Sequence, residues 1–191
     1  MTIDPKNITN FNRNKLELQA FWIFCILVAG KNSDIASRKL SQLMSRANGD
    51  LFQYFKDLGV GLHNFLVANK VGQYNRITKA IRHSLDLDLV NDSLERLLKV
   101  YGVGNKTARF FLLHTRENQN IAVLDVHILN WLRKVSGDDS AIEIPLSTPQ
   151  DEKKYKQIES LFFYYKAIYF PNVSTAQADL LIWTEMSGRN N

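Results

Sequence analysis

The chain has 191 residues, a net charge of +5 and a hydrophobic share of 45%. That is enough to bury an interior, so disorder is not the default, and one domain, or two small lobes sharing a core, is expected. A single cysteine, Cys25, excludes an intrachain disulfide framework and a four-cysteine iron–sulfur cluster and fits a reducing cytosol.

Residues 1–5 lack the basic-then-apolar layout of a signal peptide, and the apolar run 21–29 is too short to cross a bilayer, so no membrane role is expected. Helical periodicity recurs and alternating strands are absent, which predicts an all-α fold. A first helix spans 15–29 and stops at Gly30. Ser33 caps a second that runs to Asn48 and Gly49. Short helices follow at 51–58 and 62–69, and another at 73–85. On it, Arg76, Lys79 and Arg82 recur as a phosphate-tracking stripe or a solvated face. Asp92 with Glu95 forms a capping box for 94–100, Asn105 begins the next helix and Asp125 the one after. The stretch 137–147 is the least structured. Thr148 and Pro149 start a helix ending near Phe170, before Pro171. Ser174 and Gln177 box the last helix, and Gly188 closes it.

The run Gly102-Val103-Gly104-Asn105-Lys106-Thr107-Ala108 joins two short helices. Its glycines permit a tight reversal and close backbone approach, and Val103 points inward. The amides of the hairpin and of the following helix start are open to phosphate. This is a helix–hairpin–helix over about 92–116, a module that grips DNA backbone without reading sequence. The hairpin alone also fits a non-catalytic DNA binder, with Lys106 as a phosphate contact, or a helical protein-interaction domain with no DNA affinity.

The second half of the signal favours chemistry. Nineteen residues after Lys106, the extended apolar approach 121–124 delivers Asp125 to a helix whose buried face is Ile128, Leu129, Leu132 and Val135. Capping fixes such a carboxylate and leaves one oxygen to face a pocket. An amine beside a carboxylate suits cleavage of an N-glycosidic bond: the carboxylate stabilises a cation-like sugar, and the amine attacks C1′ to form a Schiff base. A lysine must first lose its proton. A helix N-terminus opposes the ammonium by only about 0.3–1 kcal/mol, so water exclusion by an extruded nucleotide has to supply most of the effect.

These strings resemble the helix–hairpin–helix base-excision DNA glycosylases, best over 92–133. The resemblance implies that Lys106 is the nucleophile of a bifunctional enzyme and Asp125 its essential carboxylate, with Gly102, Val103, Gly104 and Thr107 on the DNA backbone. Within that superfamily the chain is most similar to the compact archaeal-type 8-oxoguanine DNA glycosylase/AP lyases, which lack an iron–sulfur cluster. The Lys106-to-Asp125 spacing is nearer that of the other oxoguanine groups. The likeness implies that Gln19 hydrogen-bonds the purine edge, that Phe110 and Trp183 sandwich the ring and that Asp179 accepts a proton from the base. It also implies that Asn32 fills the vacated stack or contacts the opposite cytosine. An extruded base needs aromatic faces and edge hydrogen bonds in any case. The plainer readings are core for Phe110 and Trp183, surface for Gln19 and Asp179, and a loop residue for Asn32.

The implied fold has two helical lobes flanking a base-binding cleft in a single domain, 1–191. The implied activity is excision of 8-oxoguanine from duplex DNA through a Lys106 Schiff base, with nicking by β-elimination. The alternatives are the same fold acting on another base, such as an oxidised pyrimidine, and a non-catalytic DNA-binding protein. No cofactor is expected, a structural monovalent cation at the hairpin being the one bound ion the resemblance allows. His63, His83 and His114 lack metal-ligand spacing, and His127 is given no chemistry. A monomer in the cytoplasm is expected, associated with the nucleoid if prokaryotic.

Overall fold

The computed structural model describes residues 3–4, 7–137 and 142–188. Within them lie ten α-helices and no strand, in agreement with the all-α expectation. They are α1 (Lys15–Val28), α2 (Ser33–Arg46), α3 (Leu51–Leu58), α4 (Leu62–Ala68), α5 (Tyr74–Ser84), α6 (Leu94–Leu98), α7 (Asn105–Thr115), α8 (Val126–Ser136), α9 (Glu152–Tyr169) and α10 (Thr175–Met186). A single 3-10 turn, Gly59–Gly61, joins α3 to α4. Of the expected irregular stretch 137–147, residues 138–141 lie outside the described residues, as do 1, 2, 5 and 6 of the N-terminal stretch.

Two cores organise the helices. The first gathers around α1, whose residues from Leu18 to Leu27 are all buried, and it includes Phe21, Trp22, Phe24, Phe55 and Phe111. Each such ring contributes about 1.5–3 kcal/mol by leaving water. Trp22 meets the polar requirement of its indole by donating to Ser84 Oγ (2.8 Å), which donates in turn to the Ala80 carbonyl. The second core joins α8, α9 and α10 through Ile128, Leu129, Trp131, Tyr155, Phe162 and Ile182. The segment 121–124 carries the chain from one core to the other.

Three helix starts differ from expectation. Asn32, not Ser33, caps α2, accepting from the Asp34 and Ile35 amides. Ser93, not Asp92, caps α6, because the Asp92 carboxylate accepts from the Asp88 amide instead (2.9 Å). The helix predicted to begin at Thr148 and Pro149 starts at Glu152 behind the cap Asp151. The Thr148 hydroxyl is tied to the Leu124 carbonyl (2.8 Å), which holds that stretch against the approach to α8. The Ser174–Gln177 capping box begins α10 and the left-handed Gly188 (φ +65°) follows its end, as expected.

Candidate active site

The hairpin is built from both sides. After α6, the Val103 amide donates to the Val100 carbonyl (3.1 Å) and its side chain packs inward. Gly102 adopts φ +71°, and a Cβ there would lie 2.8 Å from Arg76 Cγ. The Arg76 guanidinium donates to the Gly102 carbonyl (3.3 Å) and to the Ile26 carbonyl at the end of α1 (2.8 Å). Arg76 is therefore a brace between helix and hairpin, not a free member of a cationic stripe. Lys79 sits 4.8 Å from the Tyr101 ring, and Arg82 donates to the Gly59 carbonyl (3.3 Å). Gly104 is the cap residue of α7, and having no side chain it leaves the first α7 amides uncapped.

Lys106 follows one residue into α7. Its Nζ lies 3.3 Å from Asp125 Oδ2, with side-chain exposures of 44% and 10% respectively. The other Asp125 oxygen, Oδ1, accepts from the His127 and Ile128 amides (2.8 and 3.0 Å) and so caps α8. Capping and the contact with lysine thus use different oxygens of one carboxylate.

A buried cluster fixes this pair from behind. The Tyr155 hydroxyl on α9 donates to the Ala122 carbonyl (2.7 Å) and accepts from the Leu124 amide (3.1 Å). Glu159 Oε1 accepts from the Ala122 amide (2.8 Å). Arg109, on the helix that carries Lys106, lies 3.9 Å over the Tyr155 ring and pairs with Glu152 (3.0 Å) and Glu159 (3.7 Å). The lysine helix and the aspartate approach are therefore locked to the same two side chains of α9, Tyr155 and Glu159. Burial pushes the Glu159 carboxyl above its ordinary range, against the Ala122 hydrogen bond and the Arg109 charge.

Lys106 and Asp125 line a cleft bordered by residues of α1, α7, α8 and α10. Phe110, Thr107, Asp179 and Trp183 also line it, as do Phe24, Cys25 and Val28 of α1. The Phe110 ring stacks on Phe21 (5.9 Å between centroids, 27° between planes) and meets the edge of His114 at 4.8 Å. Burial pushes the Cys25 thiol up, so it lines the cleft as a small apolar group. His127 packs edge-on against Trp183 (6.1 Å).

The remaining candidates lie elsewhere. Gln19 is buried against α3, where its Oε1 accepts from the Phe52 amide (3.3 Å), and it lines a separate depression with Asp50 and Leu85. It is thus not a wall of the cleft. Thr107 is buried in the cleft and not on the outer face of the hairpin, and the Val103 amide is already spent within the turn. Asn32 is exposed beside the cleft residue Ser33, its Oδ1 committed to capping α2.

Sequence reasoning missed His114. It is fully buried on α7, with Nε2 3.2 Å from Asp179 Oδ2 and Nδ1 2.8 Å from Thr9 Oγ1. Lys106, Phe110 and His114 recur at one-turn intervals along α7, a signal that was present in the sequence. Burial pushes the Asp179 carboxyl up, and its hydrogen bond with His114 opposes this. No group of His, Cys, Asp and Glu among the described residues is arranged to hold a metal ion, and no helix among them is long and apolar enough to cross a membrane.

The family profile described as 8-oxoguanine DNA glycosylase matches residues 5–167 of this chain. A crystal structure of the Methanocaldococcus jannaschii 8-oxoguanine DNA glycosylase is similar at a TM-score of 0.70 and 23% identity, covering 96% of this chain and 84% of that one. The Methanocaldococcus jannaschii 8-oxoguanine glycosylase/lyase in complex with a 15mer DNA containing 8-oxoguanine gives a TM-score of 0.66 and 21% identity, covering 96% and 88%. At such identities the likeness is one of fold, and it matches the compact helical arrangement described above.

Proposed function

The chain belongs to the 8-oxoguanine DNA glycosylase family, and from that premise we propose that it binds duplex DNA, extrudes 8-oxoguanine, excises it and nicks the strand. The observation that carries this reading is the 3.3 Å approach of Lys106 Nζ to Asp125 Oδ2 in a cleft that Phe110 and Trp183 also line.

The open amides behind Gly104 and the backbone at Gly102 hold phosphates. Phe110 and Trp183 receive the faces of the base, and Asp179 accepts from its edge. Asn32 can reach the opposite strand only through its amide nitrogen, since its oxygen caps α2. A nucleotide filling the cleft strips water from Lys106, which favours the uncharged amine. The amine attacks C1′ while the bond from C1′ to the base nitrogen breaks, and the base leaves with that electron pair. Asp125 takes the amine proton and steadies the cation-like sugar. Ring opening, with a proton delivered to the ring oxygen, leaves a Schiff base between Lys106 and C1′. The imine acidifies C2′–H, loss of that proton expels the 3′ phosphate, and water releases the lysine.

Borohydride trapping on a duplex containing 8-oxoguanine tests this reading. The wild-type chain forms a covalent adduct and Lys106→Gln forms none. Asp125→Asn slows base release by at least about a hundredfold while binding is largely kept. Undiminished turnover by Lys106→Gln refutes the covalent mechanism. Faster release of an oxidised pyrimidine across a panel of single-lesion duplexes reassigns the substrate.

A further inference from the structure

Behind the cleft residue Asp179 runs a second hydrogen-bonded chain, Thr9 to His114 to Asp179, that takes no part in the proposed cleavage. His114 is wholly enclosed, and both of its ring nitrogens are engaged. Its backbone is fastened as well: the carbonyl accepts from the Asn10 amide (3.1 Å) and from Arg13 Nη1 (2.9 Å). Phe110 closes one edge of the ring. The imidazole therefore has no freedom to turn, and the Asp179 carboxyl it meets is 6% exposed on the cleft wall.

We propose that His114, steadied by Thr9, holds the Asp179 carboxylate ionised and aimed into the cleft, and so makes the site selective for a base that offers a ring N–H. An ionised carboxylate only accepts hydrogen bonds, so Nε2 carries the hydrogen it shares with Asp179. In the neutral ring Nδ1 is then an acceptor, which is what the Thr9 hydroxyl satisfies. The state of Asp179 decides what the site reads. As a carboxylate it rewards a purine in its lactam form, with N–H on the facing edge. As a neutral acid it presents O–H and rewards a base with a bare acceptor nitrogen there. Burial alone favours the neutral acid, and the His114 hydrogen bond works against it. The charged and titratable groups facing this chain are Lys106 and Asp125 in the cleft, Arg13 behind His114, and Tyr155 from α9. Lys106 favours the carboxylate and Asp125 disfavours it, and His114 is the largest of the influences that oppose burial.

His114 is a positioning residue for base recognition, and this role rests on the glycosylase reading above. The test compares two reactions of each variant. One is single-turnover excision from an 8-oxoguanine duplex. The other is nicking of a duplex with a preformed abasic site, which has no base for Asp179 to read. A merely structural role moves both. His114→Leu should lose excision about tenfold or more at neutral pH, with abasic nicking nearly unchanged, and should regain excision as pH rises and Asp179 ionises. His114→Gln, which keeps a donor, should restore most of the loss. Thr9→Val, a milder change at a half-buried site, should shift the acid limb of the excision profile upward and leave that of nicking in place. Parallel loss of both reactions, or excision unaltered in His114→Leu and Thr9→Val, overturns the proposal. Wild-type protein that neither excises nor nicks removes the glycosylase reading itself, and this inference falls with it.

Discussion

Gly102 and Gly104 share a letter and a hairpin but do different work. Gly102 sits at φ +71°, and an added Cβ would meet Arg76 Cγ at 2.8 Å, so alanine there is strained twice over. Gly102→Ala should destabilise the chain by about 1–3 kcal/mol, read as a lower denaturation midpoint. At Gly104 the backbone is extended (φ −102°), and the nearest atom to a Cβ is Gln150 Oε1 at 4.0 Å. Gly104→Ala should leave stability within about 0.5 kcal/mol yet weaken DNA binding by crowding the open α7 amides, as a titration of labelled duplex would show. Equal losses of stability in both variants contradict this division. The motif string gave no way to tell the two glycines apart, because the difference lies in Arg76, a residue of another helix. Gln19 was misread for a related reason. The helix that carries it is buried from Leu18 to Leu27, so its pattern contains no polar face to say which side borders the cleft.

Helices were legible where periodicity ran long, and their starts were legible only to within a residue or three. Asn32 against Ser33, and Ser93 against Asp92, are adjacent residues of comparable capping power, and Asp92 is drawn off by the Asp88 amide in the preceding turn. The Thr148–Pro149 start lost to a contact with Leu124, which no local rule contains. The Lys106 and Asp125 pair was legible because each stands at a helix start with its own signal. The cluster that aligns them was not, because Arg109, Tyr155 and Glu159 look like ordinary helix residues until α9 lies against α7. Tyr155 joins a carbonyl and an amide of the Asp125 approach through one hydroxyl. Tyr155→Phe leaves both backbone groups buried without that partner and should cost about 2–4 kcal/mol. It should also lower the excision rate more than it lowers DNA affinity, because the Asp125 approach loosens while the hairpin is untouched. Chemical denaturation and single-turnover kinetics measure the two effects, and a loss confined to affinity would contradict the bracing role.

Across the whole molecule, two carboxyl groups on different helices are held away from bulk water. Asp179 from α10 and Glu159 from α9 are both pushed above the ordinary carboxylate range by burial. The folded chain therefore holds these protons more tightly than the unfolded chain, whose Asp and Glu titrate near about 4. Stability accordingly falls as pH rises from that value through the raised folded ones, and is flat beyond them. Asp88 and Glu95 run the other way: side-chain hydrogen bonds from Asn91 and Ser93 hold them low, so their contribution is lost as pH falls below their unfolded values. The melting temperature should thus peak on the mildly acidic side of neutrality. Asp179→Asn keeps an acceptor for His114 but has no proton to lose, so it should flatten the upper limb and melt higher than wild type at neutral pH. An upper limb unchanged in this variant would mean that burial of Asp179 carries no stability cost. The same substitution removes the anionic acceptor that the base is proposed to meet, so excision should fall while the melting temperature rises. That opposition is expected of a functional carboxylate kept in a dry cleft: the pH range in which Asp179 ionises and the site becomes competent is the range in which the fold gives up stability to hold it there.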